Sequence, residues 1–308
     1  MQGELAGSAP DYSPQLLDRA VAAYLGLAIG DALGATVEFM TPREIAAQYR
    51  VHDTLRGGGW LRLKPGQVTD DTTMALALGA SILQCGRVDA RSAARAFDDW
   101  MRARPVDIGN TVRRGLLHFR LTGDPQNPPS EHDAGNGAAM RVLPVALATL
   151  GRDEAEVRAA CRAQAHVTHN NPLSDAATEC LALMVQDALQ GAARQTVLLT
   201  RVIPLIEQFA AFEYRLAPLG NPSGYVVDTL QAVFQACFGT DGFRACLIDV
   251  VNRGGDADTT GAIAGMLAGA LYGKAALPKA WLAALDPQVR EACETQALAL
   301  VRLGGGLD

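Results

Sequence analysis

The chain has 308 residues, of which 49% are hydrophobic and 19% are charged, and its net charge is −6 at pH 7. This composition supplies enough apolar side chains for a large buried core and excludes an intrinsically disordered chain, which would need more charge. The sequence contains no stretch that is rich in Lys and Arg. We therefore expect no nucleic acid partner, because most of the affinity for nucleic acid comes from neutralising its phosphates.

The N-terminal residues 1–13 have neither a basic start nor an apolar core, so they predict a flexible tail and not a signal peptide. The longest apolar stretches, such as 260–273, are too short and too rich in Gly to cross a membrane. The six cysteines form no CxxC pair, which favours a reduced protein. A cytoplasmic location is therefore expected.

Apolar residues recur with helical spacing along the rest of the chain, and many of these segments open with residues that are preferred at helix N-termini. The predicted helices cover 15–35, 71–84, 89–103, 110–121, 137–150, 153–165, 173–191, 197–212, 224–238, 241–251, 258–273 and 286–303. Only 57–68 and part of 36–55 are irregular or extended in pattern, and the Pro-rich stretch 122–133 predicts a loop beside a functional site. The sequence thus predicts a single all-α domain over residues 14–308.

Two acidic clusters with the same layout stand at predicted helix starts, one in GQVTDDTT and one in NRGGDADTT. A single Asp in this position is explained by helix capping, because the free N–H groups and the helix dipole stabilise it. One cap needs only one carboxylate, however, and threonines flank both clusters. Six hard oxygen ligands for a shared pair of Mg²⁺ or Mn²⁺ ions are offered by Thr69, Asp70, Asp71, Asp256, Asp258 and Thr259. Capping and metal binding both remain open from spacing alone.

Other polar residues gather at predicted helix starts and in glycine-containing stretches. They are Glu38, Asp107, Asn110, Glu131, Asp133, Asn136, His166 and His169. Each alone is also explained by a cap or a turn. His166 and His169 are spaced to share one helix face, but no Cys or third His completes a zinc site, so a structural or supporting role is favoured. Walker A, dinucleotide-binding and Gly-x-Ser-x-Gly patterns are absent.

Five motifs together resemble the ADP-ribosylglycohydrolase family in order and spacing, over a match from about residue 16 to beyond 290. They are GLAIGDALGATVEF, TDDTTMALALG, GNGAAMR, THNNPLSDAA and VVNRGGDADTTGAIAGMLAGALYG. The resemblance implies a single compact, orthogonal multi-helix domain with a binuclear Mn²⁺ or Mg²⁺ centre. The family's metal motifs fall on the six residues of the two acidic clusters.

The resemblance also implies a reaction, the hydrolysis of the N-glycosidic bond between ADP-ribose and an arginine guanidinium. Asp107 and Glu38 are the candidate catalytic acid and base, with Asp107 preferred. An oxocarbenium-like route and a ring-opening route both remain open. The candidate substrate-binding residues are Asn110, Glu131, Asp133, Gly135, Asn136, Gly137, His169 and Tyr225. Backbone N–H groups around 135–139 would cradle the diphosphate.

Four further segments resemble the branch of the family that acts on dinitrogenase reductase, the nitrogenase iron protein. They are EFMTPREI, GGGWLRLKPGQVTDDT, RPVDIGNT and SGYVVDT. This resemblance implies ADP-ribosylated dinitrogenase reductase as the substrate. It also implies a PII signalling protein and an ammonium channel as partners, with reversible recruitment to the inner membrane. Two alternatives stand beside it: a non-catalytic protein that binds ADP-ribose or metal, and a hydrolase of another ADP-ribosyl linkage. The four intact aspartates of the acidic clusters argue against the first of these.

Overall fold

The structure is a computed structural model that describes residues 12–305, and in this range the chain forms fifteen α-helices and two isolated β-bridges but no strand. The helices are α1 (Pro14–Gly34), α2 (Pro42–Tyr49), α3 (Asp70–Cys85), α4 (Ala90–Arg102), α5 (Asn110–Thr122), α6 (Leu143–Ala148), α7 (Glu154–Ala165), α8 (Pro172–Leu189), α9 (Arg194–Val197), α10 (Ile203–Gln208), α11 (Val226–Gly239), α12 (Phe243–Val251), α13 (Ala257–Tyr272), α14 (Lys279–Ala284) and α15 (Pro287–Gly304). A π-helical turn, Leu198–Val202, joins α9 to α10. The predicted all-α fold is confirmed.

The centre of the molecule is an antiparallel pair formed by α1 and α13. Gly26 lies against Gly265 and Gly30 against Gly261, so closely that a β-carbon on any of these glycines would overlap the backbone of the opposite helix. Only glycine allows two helix backbones to approach in this way. Nearly all of α13 and the last two-thirds of α1 are buried as a result.

The remaining helices surround this pair. Helices α8, α11 and α12 pack against α13, while α3 and α15 pack against α1. The packing brings the N-terminus of α3 next to the N-terminus of α13, since α3 starts beside the C-terminal half of α1 and α13 runs antiparallel to α1. The central pair therefore determines where the two acidic clusters lie.

Three differences from the predicted helices have local causes. The region 36–55, part of which was predicted to be irregular and in which no helix was predicted, contains α2. This helix begins with a capping box: the Thr41 side chain accepts from the Glu44 N–H, and the Glu44 carboxylate accepts from the Thr41 N–H at 2.7 Å. The predicted helix 197–212 is interrupted by the π turn, which ends two residues before Pro204, a residue that cannot donate a backbone hydrogen bond. The predicted helix 137–150 is shortened to α6, because its glycine-containing start forms turns.

The predicted N-terminal tail falls mostly on residues 1–11, which lie outside the described residues. The boundary at residue 14 coincides with the first residue of α1, where the Ser13 side chain accepts a hydrogen bond from the Leu16 N–H. The division into a tail and one domain over 14–308 stays a prediction. Within residues 12–305, no helix is both long enough and apolar enough to span a bilayer.

Candidate active site

The starts of α3 and α13 meet in one buried group of oxygen atoms. Thr69 Oγ1 lies within hydrogen-bond distance of Asp71 Oδ2, at 3.3 Å, and of Asp258 Oδ2, at 3.5 Å, although Thr69 and Asp258 are 189 residues apart. Thr259 Oγ1 approaches the same Asp71 oxygen from the α13 side, at 3.5 Å. The two acidic clusters recognised in the sequence therefore form a single site.

Glu38 adds a further carboxylate to this group, and the enlarged group has the composition of a cation-binding site. Glu38, Asp256 and Asp258 each place a carboxylate oxygen within 4.8 Å of the others, an arrangement that could hold a metal ion. Asp71 Oδ1 is buried and has no hydrogen-bond partner among the described residues. A buried carboxylate oxygen without a donor is unfavourable unless a cation neutralises it. The donor set fits a hard divalent cation, since such ions prefer carboxylate and hydroxyl oxygens.

The crowding of carboxylates changes their acidity. Burial raises the pKa of Glu38 to about 8 and that of Asp70 to about 7, and the negative charge of Asp107 adds to both shifts. Burial and mutual repulsion also raise the pKa of Asp71 and of Asp258 well above the usual range. The site therefore resists carrying its full negative charge alone, and a bound divalent cation would favour the ionised forms.

Asp31, which the sequence analysis did not single out, holds the start of α3 from the side of α1. Its fully buried carboxylate accepts hydrogen bonds from the backbone N–H groups of Thr69, at 2.9 Å, and Thr72, at 3.1 Å, and from both threonine hydroxyls. These bonds satisfy helix N-terminal donors that a capping side chain would otherwise bind. Asp70 and Asp71 make no such cap, so the capping explanation does not account for them.

A cavity of about 540 Å³ lies against this acidic group, a size typical of a small-molecule site. Its walls come from the starts of α3, α5 and α13 and from turns at 135–137 and 221–224. The predicted site residues that line it are Glu38, Asp70, Asp107, Asn110, Gly135, Asn136, Gly137, His169, Asp256, Asp258 and Thr259. Thr69 and Asp71 are buried behind this wall and touch it through their hydrogen bonds.

Asp107 stands apart from the other carboxylates of the cavity. It is half-buried in the loop that leads into α5, and its Oδ1 accepts a hydrogen bond from the backbone N–H of Ile108 at 2.7 Å. Asn110, the first residue of α5, lines the same wall. Asp107 thus comes from a different segment than Glu38, which lies in the turn that follows α1, and neither of these two candidate catalytic carboxylates belongs to α3 or α13.

The turn at 135–137 connects the cavity to the acidic group. Asn136 Nδ2 donates a hydrogen bond to Asp256 Oδ2 at 2.5 Å, which fixes that carboxylate. The His169 ring lies directly beneath the turn, where a β-carbon on Gly137 would come within 2.7 Å of His169 Cε1. Burial, followed by two nearby arginines, lowers the pKa of His169 well below its usual range, so the ring is neutral. The glycines keep the backbone of the turn open to the cavity.

A sequence model of the ADP-ribosylglycohydrolase family matches residues 12–306. The chain belongs to the ADP-ribosylglycohydrolase family. It is 51% identical over 292 residues to the ADP-ribosyl-[dinitrogen reductase] glycohydrolase of Rhodospirillum rubrum, covering 95% of this chain and 98% of that protein. It is 37% identical to an ADP-ribosylarginine hydrolase of Serratia proteamaculans, covering 89% of this chain and 77% of that protein. A solved structure of an ADP-ribosylglycohydrolase-related protein complex matches with a TM-score of 0.84 at 37% identity, over 95% of this chain and 100% of the other.

Three of the substrate-binding residues predicted for this ADP-ribosylglycohydrolase do not line the cavity. Glu131 is exposed in a turn, and the buried Asp133 carboxylate forms an ion pair with Arg114. Tyr225 is 40% exposed and precedes α11, next to Gly224, which does line the cavity. The structure thus gives Glu131 and Asp133 no direct access to the cavity, and a substrate contact for any of the three stays a prediction.

His166 and His169 have separate hydrogen-bond partners. His166 Nε2 lies 3.0 Å from Asp175 Oδ1, whereas His169 Nδ1 lies 2.7 Å from Thr168 Oγ1. The same hydroxyl accepts a hydrogen bond from Arg141 Nη2 at 2.7 Å. Arg141, another residue that sequence reasoning missed, is fully buried, and burial lowers its pKa to about 9. This chain of contacts supports the cavity wall from behind.

Proposed function

We propose that this protein removes ADP-ribose from a modified arginine of dinitrogenase reductase by hydrolysing the N-glycosidic bond, and that it thereby reactivates nitrogenase. The substrate is supported by the 51% identity to the Rhodospirillum rubrum glycohydrolase over nearly the full length of both chains. The chemistry is supported by one structural observation above all. Two acidic helix starts and Glu38 converge on a cavity that is large enough for a small molecule.

The cofactor in this proposal is a pair of Mn²⁺ or Mg²⁺ ions held by the predicted ligands Thr69, Asp70, Asp71, Asp256, Asp258 and Thr259. Four carboxylates balance the charge of two divalent ions, and the unpartnered Asp71 Oδ1 is available as a ligand atom. When bound, such ions orient sugar hydroxyls and lower the pKa of a coordinated water. The protein's own contribution is to fix the ligands: Asn136 holds Asp256, and Asp31 holds Thr69.

Asp107 and Glu38 are the proposed acid and base, with Asp107 preferred. Hydrolysis needs one group to protonate the departing guanidine nitrogen and one to accept a proton from water or from a ribose hydroxyl. Both side chains line the cavity. Burial raises the pKa of Glu38 to about 8, so this carboxyl holds a proton near neutral pH in the absence of a cation. The oxocarbenium-like and ring-opening routes need the same two roles.

The substrate in this proposal lies along the glycine-containing turn. Backbone N–H groups of Gly135 and Gly137 would bind the diphosphate, because N–H groups in a turn or at a helix start attract anions. The N–H of Asn136, between them, donates to the Gly224 carbonyl oxygen at 3.0 Å and holds the turn in place. Asn110 and His169 would contact the ribose side of the cavity. Contacts from Tyr225, Glu131 and Asp133 are proposed from the family resemblance alone.

Regulation by a PII signalling protein and an ammonium channel, with reversible recruitment to the inner membrane, is proposed on the same resemblance. The motifs shared with the nitrogenase branch support it. Affinity capture of the full chain from a nitrogen-fixing cell after an ammonium pulse tests it directly. Recovery of both partners is expected, and recovery of neither would remove this part of the proposal.

The central test incubates the purified protein and Mn²⁺ with ADP-ribosylated dinitrogenase reductase and follows the intact mass of the reductase. The expected result is a mass loss equal to one ADP-ribosyl group, together with free ADP-ribose. Binding of ADP-ribose without any mass loss would favour the non-catalytic alternative. Turnover only on a serine-linked or free ADP-ribosyl compound would favour a hydrolase of another linkage.

A further inference from the structure

A second cleft adjoins the active-site cavity and shares part of its wall. The cleft has a volume of about 480 Å³, and Glu38 and Phe39 line both spaces. Its remaining wall includes Trp60, Tyr49 and Glu44. A molecule that fills the main cavity can therefore extend past Glu38 into this cleft without leaving the protein surface.

Two aromatic rings stand exposed where the two spaces join. Phe39 is 65% exposed and Trp60 is 52% exposed, and their ring centroids are 5.4 Å apart. Trp60 Nε1 donates a hydrogen bond to Glu38 Oε2 at 2.6 Å, which ties the indole to the proposed catalytic carboxylate. Exposed large aromatic side chains that are held in a fixed position next to a cavity indicate a binding surface.

The backbone around these rings is held in unusual conformations. Phe39 has a φ of 62°, in the left-handed region that non-glycine residues rarely adopt, and its N–H donates to the Gly255 carbonyl oxygen at 2.7 Å. Trp60 follows Gly57, Gly58 and Gly59, all with positive φ. Glycine adopts a positive φ without strain, so the strained residue here is Phe39. Such strain persists where the surrounding structure enforces it, and it is commonest at functional sites.

The cleft is lined by acidic side chains as well as aromatic rings, and the guanidinium of Arg56 already stacks on the ring of Tyr49, 4.9 Å from the ring centroid. Among the described residues that line it, Glu38 and Glu44 are acidic and none is a Lys or Arg. Glu44 is fixed by hydrogen bonds from the Thr41 N–H, at 2.7 Å, and the Thr41 hydroxyl, at 2.8 Å, and these bonds lower its pKa. These side chains suit a cationic ligand with a flat group that stacks on an aromatic face. A guanidinium has both properties.

We infer that this cleft binds the acceptor arginine, which is the leaving group of the reaction, with its guanidinium against the Phe39 and Trp60 rings. The inference rests on the proposed function. Hydrolysis breaks the bond from the anomeric carbon to the guanidine nitrogen; water supplies a hydroxyl to the ribose and a proton to that nitrogen. The product that leaves is therefore a guanidinium cation, and it departs beside Glu38, on the wall that the two spaces share.

Two probes separate the cleft from the main cavity: Nα-acetylarginine amide for the guanidinium and ADP-ribose for the nucleotide-sugar. Dissociation constants for both are measured by ligand-observed NMR with the full chain and Mn²⁺. Trp60→Leu should weaken binding of the arginine amide by about five- to thirty-fold, as expected for loss of a desolvated cation–π contact. ADP-ribose binding should change by less than about two-fold, within the usual effect of a remote substitution.

Matched variants distinguish stacking from a structural effect. Trp60→Phe keeps an aromatic face but loses the N–H bond to Glu38, so arginine amide binding should stay near the wild-type value. Glu44→Gln keeps a side chain that suits a capping box but removes the charge, and it should weaken arginine amide binding by about two- to three-fold. Leu121→Ala, at an 86% exposed position on α5 that does not line the cleft, should change nothing.

The inference is overturned if the wild-type protein does not bind the arginine amide or if Trp60→Leu leaves that binding unchanged. It is also overturned if Trp60→Leu weakens ADP-ribose and the arginine amide equally, because the ring would then belong to the nucleotide subsite. These are equilibrium measurements, so they stand apart from the turnover assay. Absence of mass loss in that assay would remove the proposed function while leaving a guanidinium-binding cleft in place.

Discussion

The body of α13 and its N-terminus are built in opposite ways. From Gly261 to Gly269 the helix packs backbone against backbone on α1, through small uncharged residues. Just before this segment, Asp256 and Asp258 join a buried group of carboxylates that repel one another. One helix therefore carries close backbone-to-backbone packing in its body and a cluster of acidic side chains at its start.

The contrast shows how the fold tolerates a group of carboxylates whose burial in charged form is energetically unfavourable. Burial raises the pKa values of the acidic group, so its charged form opposes folding until a cation neutralises it. The stability that offsets this opposition must come from elsewhere, and the α1–α13 contact is the nearest large source of buried apolar surface. Substitution of a carboxylate at the start of α13 should consequently reduce activity and leave stability unchanged. Substitution in the contact between α1 and α13 should instead reduce stability.

Asp256→Asn should produce the largest effect. It keeps the size of the side chain and an oxygen that can accept from Asn136, but it removes one charged ligand from the site. We expect ADP-ribose release to fall by at least about a thousand-fold, because metal binding and sugar orientation are lost together. The melting temperature without metal should not fall, and the stabilisation that Mn²⁺ gives to the wild-type protein should disappear. Turnover assays and thermal melts with and without Mn²⁺ measure all three.

Asp241→Asn is the matched control, because this carboxylate is 97% exposed and pairs only with Arg194 among the described residues. It should leave turnover and the response to Mn²⁺ unchanged. Full activity of Asp256→Asn would show that the α13 carboxylates are not metal ligands. A drop in metal-free melting temperature would show that Asp256 is a structural residue.

Gly261→Ala tests the close packing between α1 and α13. The added methyl group would overlap the Gly30 backbone, which cannot move without separating α1 from α13. Overpacking of this kind destabilises by about 1–3 kcal/mol and outweighs the gain of about 1 kcal/mol from better helix propensity. Urea unfolding should show the loss, while turnover at low temperature should stay within about ten-fold of wild type, since no ligand changes identity.

Gly239→Ala controls for helix propensity, since a β-carbon at Gly239, the last residue of α11, would meet no atom within 4 Å. It should be neutral or slightly stabilising. Equal stability of the Gly261→Ala and wild-type proteins would mean that the close approach of α1 and α13 is not needed for the fold.

Much of this architecture could be predicted from the sequence, because its signals are periodic and local. Most helices follow the spacing of apolar residues, and the two acidic clusters stood out because each repeats the other's layout. The short helix α2 was missed although Thr41 and Glu44 form a recognisable capping-box spacing. Eight residues are too few for apolar periodicity to be visible.

The residues that sequence reasoning missed act through tertiary contacts. Asp31 lies in the otherwise apolar part of α1, residues 20–34, and its role appears only when its hydrogen bonds to Thr69 and Thr72 are known. Trp60 lies in an irregular stretch with no periodic pattern, and its bond to Glu38 depends on a loop conformation. A single charged residue in a long apolar helical segment, such as Asp31 or Arg141, is the one signal that could have pointed to such roles.

Asp31→Asn should have the smallest effect. It should lower both the stability of the packed centre and the metal affinity of the acidic site, because Asp31 belongs to α1 but holds the start of α3. The amide keeps one acceptor oxygen but directs its NH₂ group at a donor, so part of the four-bond network with Thr69 and Thr72 is lost. We expect a loss of about 1–2 kcal/mol in urea unfolding and a weakening of Mn²⁺ affinity by about ten-fold, as for residues that orient metal ligands. Asp99→Asn, at an exposed position of α4 whose carboxylate makes no hydrogen bond within the described part of the chain, should change neither quantity. Lost stability with unchanged Mn²⁺ affinity would show that the start of α3 holds its ligand geometry without Asp31, and that the packed centre and the acidic site are independent.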